Sequence, residues 1–393
     1  MVFPISLWRG ALEAMRYDAA IIGSGVAGGL AATHLARMGA KVIVIEKEKV
    51  AHHKVCGEFI SYEAHQYLVD LGIDLPAFGA QPIHFTRLVS GRHAVTASLP
   101  FRGLSLSRRA LDAVLLAKAI DYGAVIRTGV TATKLAYENA GWTVACGENE
   151  NIIAKSLFLA TGKHDMRDWP RAGGKHNAYI GFKMHFCLAD RQREKIARHT
   201  ELYFSRGGYA GLQPVEADRA NFCLLVRKDH FARSGKNWDG LIQMLAQSMP
   251  LLAERLDGAA PAWAKPLAVF GVPYGFIHRP ATNEPPDLYR LGDQMAVIPS
   301  FCGDGIAIAM HTARLAAECY RYESSQSYAV LAYMQLRRQI AYATWIARVL
   351  AVPGIQPAAL ALSRKFPGII AHIARQTRLH PAAAGGKNLP ALS

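Results

Sequence analysis

Apolar residues near the start of the chain form two short runs, separated by a glycine-rich turn and an alanine-rich stretch. Residues 17–22, Tyr-Asp-Ala-Ala-Ile-Ile, are typical of a buried strand. The small residues that follow the turn, up to Met38, favour a helix. A second apolar run begins at Lys41 and ends at Glu46. The pattern therefore predicts a strand, a turn, a helix and a second strand in close succession.

The turn between the first strand and the helix, residues 23–28, reads Gly-Ser-Gly-Val-Ala-Gly. In such a turn Gly23 permits the tight bend, Gly25 lets a pyrophosphate approach the backbone, and Gly28 allows close packing of helix on strand. Unpaired amides at the helix start attract phosphate, and a carboxylate at Glu46 can accept hydrogen bonds from an adenosine ribose. Glycine-rich turns also occur as plain loops. The strand, the helix and the acid together favour a dinucleotide site.

The rest of the chain alternates strand-like and helix-like patterns. Apolar and polar residues alternate between residues 177 and 281, as in a sheet with one face on a ligand cavity. The predicted organisation is an N-terminal extension (1–16), a cofactor-binding domain in two parts (17–176 and 282–322), an inserted sheet-rich substrate domain (177–281) and a helical C-terminal region with a tail (323–393).

A second glycine-aspartate segment follows the inserted domain. A short predicted strand ends at Gly292 and Asp293, and Gly303 and Gly305 open another helix of small residues. A carboxylate at Asp293 can contact the ribityl chain of a flavin, and amides at the helix start can face its pyrimidine side. The plain alternative is a turn followed by an amphipathic helix.

In this order and separation, the two glycine-rich segments resemble the FAD-binding halves of the group A flavoprotein monooxygenase and geranylgeranyl reductase superfamily. The segment from Arg108 to Asp112 resembles the family's "R..LD" run, whose arginine binds the flavin pyrophosphate. The resemblance implies that role for Arg108 and an adenine contact for Val130. Standing alone, Arg108 would be read as a solvent-facing residue near a helix start.

The resemblance implies an α/β fold, with an interrupted Rossmann-type FAD-binding domain, an inserted sheet-rich substrate domain and a helical C-terminus. FAD is the expected cofactor. The expected cofactor-binding residues are Gly23, Gly25, Val26, Ala27, Gly28, Glu46, Lys47, Lys54, Cys56, Gly57, Arg108, Val130, Thr161, Gly162, Asp293, Pro299, Gly303, Gly305 and Ile306.

Residues 54–58, Lys-Val-Cys-Gly-Glu, resemble a Lys-Pro-Cys-Gly-Gly segment that the reductases carry near the flavin ring. Valine and glutamate replace its proline and second glycine. A thiol at Cys56 or a carboxyl at Glu58 could donate a proton to a substrate carbon, so both are candidate catalytic residues. Alternatively, Cys56 is a small buried residue beside a tight turn. His52 and His53 have no partners at metal-ligand spacing, so no metal site is expected.

Three functions are compatible with these patterns. The leading prediction is a monooxygenase that hydroxylates an apolar aromatic or polyketide-like substrate through a flavin C4a-hydroperoxide. The second is reduction or dehydrogenation of a carbon-carbon double bond in a lipid, and the third is a non-redox module that binds a nucleotide. Thr161 stands where many of the monooxygenases have an aspartate that serves FAD and NAD(P)H, so the electron donor is either NAD(P)H or a separate reductase.

Composition restricts the partners and the compartment. With 45 basic and 30 acidic residues the formal charge is +15, which favours an acidic partner or surface. The basic residues are scattered and not interleaved with stacking aromatics, so nucleic-acid binding is not expected. The six cysteines form no CxxC pair, and the first residues lack a signal-peptide pattern, so a cytoplasmic protein is expected. No apolar run approaches the length of a membrane span.

The last seventy residues are helical in pattern and rich in basic side chains. The simpler interpretation is a helical cap on the core, followed by a loose tail from Pro381 to Ser393. The alternative is a basic amphipathic surface that makes peripheral contact with an anionic membrane or admits a lipophilic substrate. The basic residues of this region include Arg348, Arg364, Lys365, His372, Arg375 and Arg378.

Overall fold

The computed structural model describes residues 16–147, 150–171, 178–281, 283–352 and 354–379. The strands are β1 (Arg16–Ile22), β2 (Val42–Glu46), β3 (Phe59–Ile60), β4 (Gln81–Ser90), β5 (His93–Ser105), β6 (Val125–Thr128), β7 (Ala132–Glu138), β8 (Gly141–Cys146), β9 (Glu150–Leu159), β10 (Tyr179–Cys187), β11 (His199–Ser205), β12 (Gly208–Val215), β13 (Arg219–Arg227), β14 (Ala260–Pro261), β15 (Leu267–Phe270) and β16 (Leu288–Arg290). The helices are α1 (Val26–Arg37), α2 (Tyr62–Val69), α3 (Arg108–Asp121), α4 (Asp190–Ile196), α5 (Lys228–Arg233), α6 (Trp238–Ser248), α7 (Pro250–Leu256), α8 (Gly305–Tyr322), α9 (Ser325–Leu350), α10 (Ile355–Lys365) and α11 (Gly368–Gln376).

The first sheet contains the predicted strand-turn-helix-strand unit. Its strand order is β6-β2-β1-β9-β8-β7, and β16 pairs with the end of β9. The strands β6, β2, β1, β9 and β16 are parallel, whereas β7 and β8 form an antiparallel hairpin. Every residue of β2 is buried, because helices cover one face of the sheet and the hairpin covers the other. The fold class predicted from the sequence is confirmed.

The second sheet has the order β14-β10-β13-β12-β11-β4-β5-β3, with β15 beside β10. It corrects the predicted boundary at residue 177, because β3, β4 and β5 precede that residue and still belong to this sheet. The link is the parallel pairing of β4 with β11, in which Leu88 lies beside Leu202. The second sheet is therefore built from two separated stretches of chain. The residues next to the predicted boundary, 172–177, lie outside the described part.

Residues 238–256 form two helices, α6 and α7, and not one continuous helix. Pro250 begins α7, since proline fits the first turn of a helix and cannot continue the one before it. Both helices pack on one face of the second sheet through residues such as Leu241 and Leu252.

Two of the three C-terminal helices, α10 and α11, pack beside the second sheet, whereas α9 lies against α8 and β16 of the first sheet. Both α10 and α11 contact β5. In the described residues no single helix has the length and apolar character of a membrane span, although α9 and α10, bent by 113° at their break, meet that test together. The predicted N-terminal extension and the tail from Pro381 lie outside the described residues, apart from Arg16 in β1.

Candidate functional site

One large cavity, of about 900 Å³, lies between the two sheets and the C-terminal helices. It begins at the glycine-rich turn after β1 and extends to the inner faces of α9, α10 and α11. The predicted cofactor-binding residues that line it are Gly23, Gly25, Val26, Ala27, Glu46, Lys47, Lys54, Cys56, Gly57, Arg108, Val130, Thr161, Gly162, Asp293, Gly303, Gly305 and Ile306. The remaining two, Gly28 and Pro299, are not part of this lining.

The glycine-rich turn has the close contacts that its spacing predicts. Gly23 has φ +99°, a conformation that favours glycine, and a Cβ there would lie 2.5 Å from the Ala160 carbonyl oxygen. A Cβ on Gly28 would lie 1.9 Å from the Gly23 carbonyl oxygen. Gly28 therefore acts through packing, behind the cavity wall.

Two cations lie at the start of α1, beside Gly25. A Cβ on Gly25 would be 3.2 Å from Arg108 Nη2 and 3.6 Å from Lys54 Nζ. Asp112 holds both cations: its carboxylate accepts from Arg108 Nε at 3.0 Å and from Lys54 Nζ at 2.9 Å. Burial acts to lower the pKa of Arg108, but Asp112 and Cys56 outweigh it and raise this pKa, so the guanidinium stays charged. Helix amides, two cations and space reserved by a glycine fit a pyrophosphate.

The carboxylate of Glu46 closes one end of the cavity. It accepts hydrogen bonds from Ser24 N at 2.9 Å, Ser24 Oγ at 2.7 Å and Glu48 N at 3.0 Å. Burial acts to raise the pKa of Glu46, but these hydrogen bonds outweigh it and hold the pKa below its usual value. An ionised acceptor in this position fits ribose hydroxyls. Val130, whose amide donates to the Glu46 carbonyl at 2.9 Å, lies beside it.

The second glycine-aspartate segment lines the cavity beyond the phosphate end. Asp293 lies in a 3-10 turn, Gly292–Gln294, and its carboxylate is 3.7 Å from Lys163 Nζ. Gly303 has φ +73°, and a Cβ there would approach the Phe59 ring to 2.9 Å. Gly305 then begins α8. The two distant segments thus line one cavity, as the sequence predicted.

Cys56 lies in the wall between the phosphate end and the second sheet. Its sulfur accepts a hydrogen bond from Glu58 N at 3.3 Å and contacts the Arg108 guanidinium. The Asn221 amide fixes the loop by donating to the carbonyls of Cys56 at 3.1 Å and Gly57 at 2.8 Å. The thiol is therefore held in one place by hydrogen-bond donors on both sides of the loop.

Glu58 has a different environment from the one expected of a proton donor. Its side chain has no exposed surface, and its carboxylate pairs with Lys183 and, at 2.8 Å, with His185 Nε2. It also accepts from Arg108 N at 2.6 Å. Burial acts to raise the pKa of Glu58, but Lys183 and His185 outweigh it, so the pKa is lowered and the group is a carboxylate. Glu58 fixes the loop and its neighbours in position.

Sequence reasoning missed Lys183, His185 and Asn221. A signal was present, because Lys183 and His185 alternate with apolar residues in β10 and so share one face of a buried strand. His53 stacks edge-on against His185, with ring centroids 4.8 Å apart. Potential ligand atoms of His53, Glu58 and His185 lie within 4.8 Å of one another. The Lys183 ammonium already supplies the positive charge that balances the Glu58 carboxylate.

The far part of the cavity is predominantly apolar. Its walls come from the second sheet and from the three C-terminal helices. Apolar residues that line this part are Leu88, Leu99, Leu202, Phe204, Leu224, Ile346, Leu350, Leu360, Ile370 and Ile373.

Arg378 does not belong to the exposed basic surface that was one interpretation of the C-terminal sequence. Its side chain is only 8% exposed and donates to Asp304 Oδ1 at 3.0 Å and to the Cys302 carbonyl at 2.6 Å. Its guanidinium also lies 4.6 Å from the Phe101 ring centroid. Arg378 therefore ties the segment after α11 to the start of α8 and does not face a membrane.

Comparison with known proteins agrees with this site. The model of the pyridine nucleotide-disulphide oxidoreductase family matches residues 17–194. The chain is 31% identical, over 318 residues, to a digeranylgeranylglycerophospholipid reductase of Methanothermobacter thermautotrophicus, and the match covers 77% of each chain. It belongs to the superfamily of FAD-dependent oxidoreductases that includes the geranylgeranyl reductase-like proteins. The protein is therefore an enzyme with FAD as its cofactor.

Solved structures of this superfamily share the fold. A flavin-dependent brominase superposes with a TM-score of 0.75 at 17% identity, covering 92% of this chain and 93% of the brominase. A geranylgeranyl bacteriochlorophyll reductase-like protein of Thermoplasma acidophilum superposes with a TM-score of 0.70 at 21% identity, covering 94% of both chains. At these identities the likeness establishes the architecture.

Proposed function

We propose that this enzyme reduces carbon-carbon double bonds in the hydrocarbon chain of a lipid. The observation that carries the proposal is the apolar far part of the cavity, enclosed by the second sheet and the C-terminal helices and continuous with the site that fits FAD. Transfer of an extended hydrocarbon from water into such a space lowers its free energy. The relative with 31% identity is named for a reaction on a lipid of this kind, which also supports the proposal.

Reduction of a double bond needs an electron pair with one hydrogen, and a separate proton. Reduced FAD, when bound, supplies the first. Cys56 supplies the second: its S–H bond breaks, a C–H bond forms on the other alkene carbon, and the thiolate stays on the protein. The Arg108 guanidinium and the Glu58 amide both donate to this sulfur, so they stabilise the thiolate that is left.

Hydroxylation was the leading prediction from the sequence alone, and we now favour reduction of a double bond. The halogenase-like structures share only the fold at their low identity, so they do not favour oxygen chemistry. Cys56 favours reduction, because hydroxylation by a flavin enzyme needs a dry pocket and not a thiol acid. The two reactions differ in their products, which makes them separable.

The test uses the full-length holoenzyme, reduced with dithionite without air, so that no physiological electron donor is needed. It is mixed with a glycerol ether lipid that carries geranylgeranyl chains, and the products are analysed by mass spectrometry. The expected product gains the mass of two hydrogen atoms for each double bond reduced. No anaerobic product, together with a product in air that gains one oxygen atom, would overturn the proposal in favour of a monooxygenase.

We also propose that the enzyme takes its lipid from an anionic membrane surface through α9 and α10. Their inner faces contribute Ile346, Leu350 and Leu360 to the cavity. Their outer surface exposes large apolar side chains among cations. The exposed apolar residues are Trp345 (58%), Val352 (49%), Leu362 (51%) and Phe366 (51%), and the exposed cations are Arg348, Arg364 and Lys365.

An apolar surface interspersed with basic residues complements an anionic bilayer, and the formal charge of +15 adds long-range attraction. The same helices thus border both the proposed membrane surface and the substrate cavity. A lipid chain would cross only one layer of helices to reach the double-bond reduction site.

A further inference from the structure

Three hydroxyl groups meet in the wall of the cavity, each from a different part of the chain. Tyr209 lies on β12 of the second sheet, Tyr274 follows β15, and Ser300 lies three residues before Gly303 in the second glycine segment. The hydroxyls of Tyr209 and Tyr274 both hydrogen-bond Ser300 Oγ, Tyr274 at 2.5 Å. All three residues line the cavity. We call this group the hydroxyl cluster.

The surroundings of the hydroxyl cluster are aromatic. The Tyr209 ring lies 5.9 Å from the Phe301 ring, edge to face, and 6.3 Å from the Phe204 ring, measured between centroids. Both phenylalanines also line the cavity. The cluster therefore places polar atoms at one point of a largely apolar wall, and because Ser300 is exposed there, these atoms are accessible to a ligand.

The hydroxyl cluster has one proton that its hydrogen bonds to Ser300 do not use. Three hydroxyls carry three protons, and the two hydrogen bonds to Ser300 use two of them. The third proton can close the triangle between the two phenols or turn to an acceptor in the cavity. When a ligand oxygen accepts this proton, a hydrogen bond to the ligand replaces the hydrogen bond between the two phenols.

The phenols keep their protons. Burial raises the pKa of Tyr209, and burial raises the pKa of Tyr274, so neither becomes a phenolate near neutral pH. Both are consequently poor proton donors for catalysis and good donors of hydrogen bonds. No cation belongs to the cluster, so a carboxylate or phosphate would lose its hydration there without gaining a counter-charge.

We propose that Tyr209, Tyr274 and Ser300 bind an uncharged oxygen of the substrate, a carbonyl or a hydroxyl, and thereby fix the position of its unsaturated chain. The inference rests on the proposed function for the nature of that chain. It adds a specificity element: the enzyme distinguishes an oxygen-bearing isoprenoid from a hydrocarbon of the same length. A site built to hydrogen-bond an oxygen disfavours the analogue that lacks it.

The test measures equilibrium binding to the oxidised holoenzyme, through the change in flavin absorption, so it does not require turnover. The probes are an isoprenoid quinone, a polyprenyl alcohol and an isoprenoid hydrocarbon of equal chain length. The expected result is that the wild type binds at least one oxygenated probe about two- to tenfold more tightly than the hydrocarbon. The probe with the larger preference identifies the oxygen as carbonyl or hydroxyl.

Tyr209→Phe, Tyr274→Phe and Ser300→Ala should each reduce that preference towards unity while hydrocarbon binding stays the same. Tyr322→Phe removes an exposed phenol that is not part of the cavity lining and should keep the preference. Flavin content checks that each variant has folded. A preference that persists in all three cluster variants overturns the proposal. Because binding is measured without turnover, this outcome is distinct from a failure to reduce alkenes.

Discussion

Lys183 on β10 and Glu58 in the loop before β3 form an ion pair in which neither side chain has any exposed surface. Glu58 has φ +60°, a left-handed conformation that is uncommon for a residue with a side chain. The ion pair, His185 and the Arg108 amide hold that conformation. The second sheet therefore fixes the loop that carries Cys56, although the two are more than a hundred residues apart.

Loss of this ion pair should destabilise the fold. Lys183→Met leaves the Glu58 carboxylate buried without its cation, so we expect the free energy of unfolding to fall by about 3 to 5 kcal/mol. Lys155→Met is the matched control, because the Lys155 ammonium pairs with Asp18 at the surface and is 78% exposed. Denaturant unfolding measures both variants. Equal stability of the two would contradict a central role for the buried pair.

Stability should also fall in mild acid because of His311. This buried imidazole contacts the Tyr67 hydroxyl through Nδ1 at 3.0 Å and the Gln335 side-chain oxygen through Nε2 at 2.6 Å, an arrangement that suits its neutral form. Burial lowers the pKa of His311 from 6.5 to about 4.

Between these two values the unfolded chain binds the proton and the folded chain does not. Stability should therefore decrease as the pH falls from about 6.5 to about 4, by about 3 kcal/mol for this group, and change little from it below that. His311→Gln should have a shallower pH dependence in the same window, whatever its stability at neutral pH. Parallel curves for the two proteins would rule out this contribution.

Alanine substitutions at two glycines of the first turn should have different effects on flavin binding and on folding. Gly25→Ala places a methyl group beside Arg108 Nη2 and Lys54 Nζ, where the pyrophosphate fits, so it should reduce flavin occupancy with the fold retained. Gly28→Ala drives a methyl group into the Gly23 carbonyl and should reduce the yield of folded protein.

The control is Gly368→Ala, since a Cβ at that position meets no atom within 4 Å. Flavin absorbance per folded protein and circular dichroism separate the two effects. Full flavin occupancy in Gly25→Ala would place the pyrophosphate elsewhere.

Cys56 should be needed for proton transfer and not for cofactor binding. Cys56→Ser should slow alkene reduction about a hundredfold or more while flavin content stays the same. Cys146→Ser is the control, because Cys146 is a buried thiol in the β7-β8 hairpin, outside the cavity lining. Rates within about twofold of the wild type for both variants would remove Cys56 from the mechanism.

Binding to membranes should depend on charge at α9 and α10. Converting Arg348, Arg364 and Lys365 to glutamine should weaken binding to phosphatidylglycerol vesicles about a hundredfold, since each cation contributes about 1 kcal/mol near such a surface. Added salt should weaken wild-type binding in the same direction.

The control changes three exposed cations elsewhere, Arg92, Lys134 and Arg191, to glutamine, which removes the same charge. Co-sedimentation measures all three proteins. Equal weakening by the two triple variants would assign the effect to net charge, and the proposed surface would then be wrong.

Local patterns determined the cofactor half of the site. The turn after β1, the acid at the end of β2 and the glycines before α8 could be recognised because glycine geometry and strand ends are properties of a few consecutive residues. Parallel strands bring their carboxyl ends to one edge of the sheet. That Glu46 and Asp293 line the same cavity could therefore be predicted from these local patterns alone.

Pairing between distant segments determined the rest. Nothing within residues 81–105 indicates that β4 pairs with β11, because a strand's partner depends on how the whole sheet packs. The same holds for Arg378: its local sequence is that of a basic helix end, and only the folded chain places it against Asp304. The amino-acid sequence by itself determined the fold class and predicted which segments would hold FAD, whereas tertiary packing decided which charges are buried and which residues line the apolar part of the cavity, since burial depends on contacts across the whole molecule.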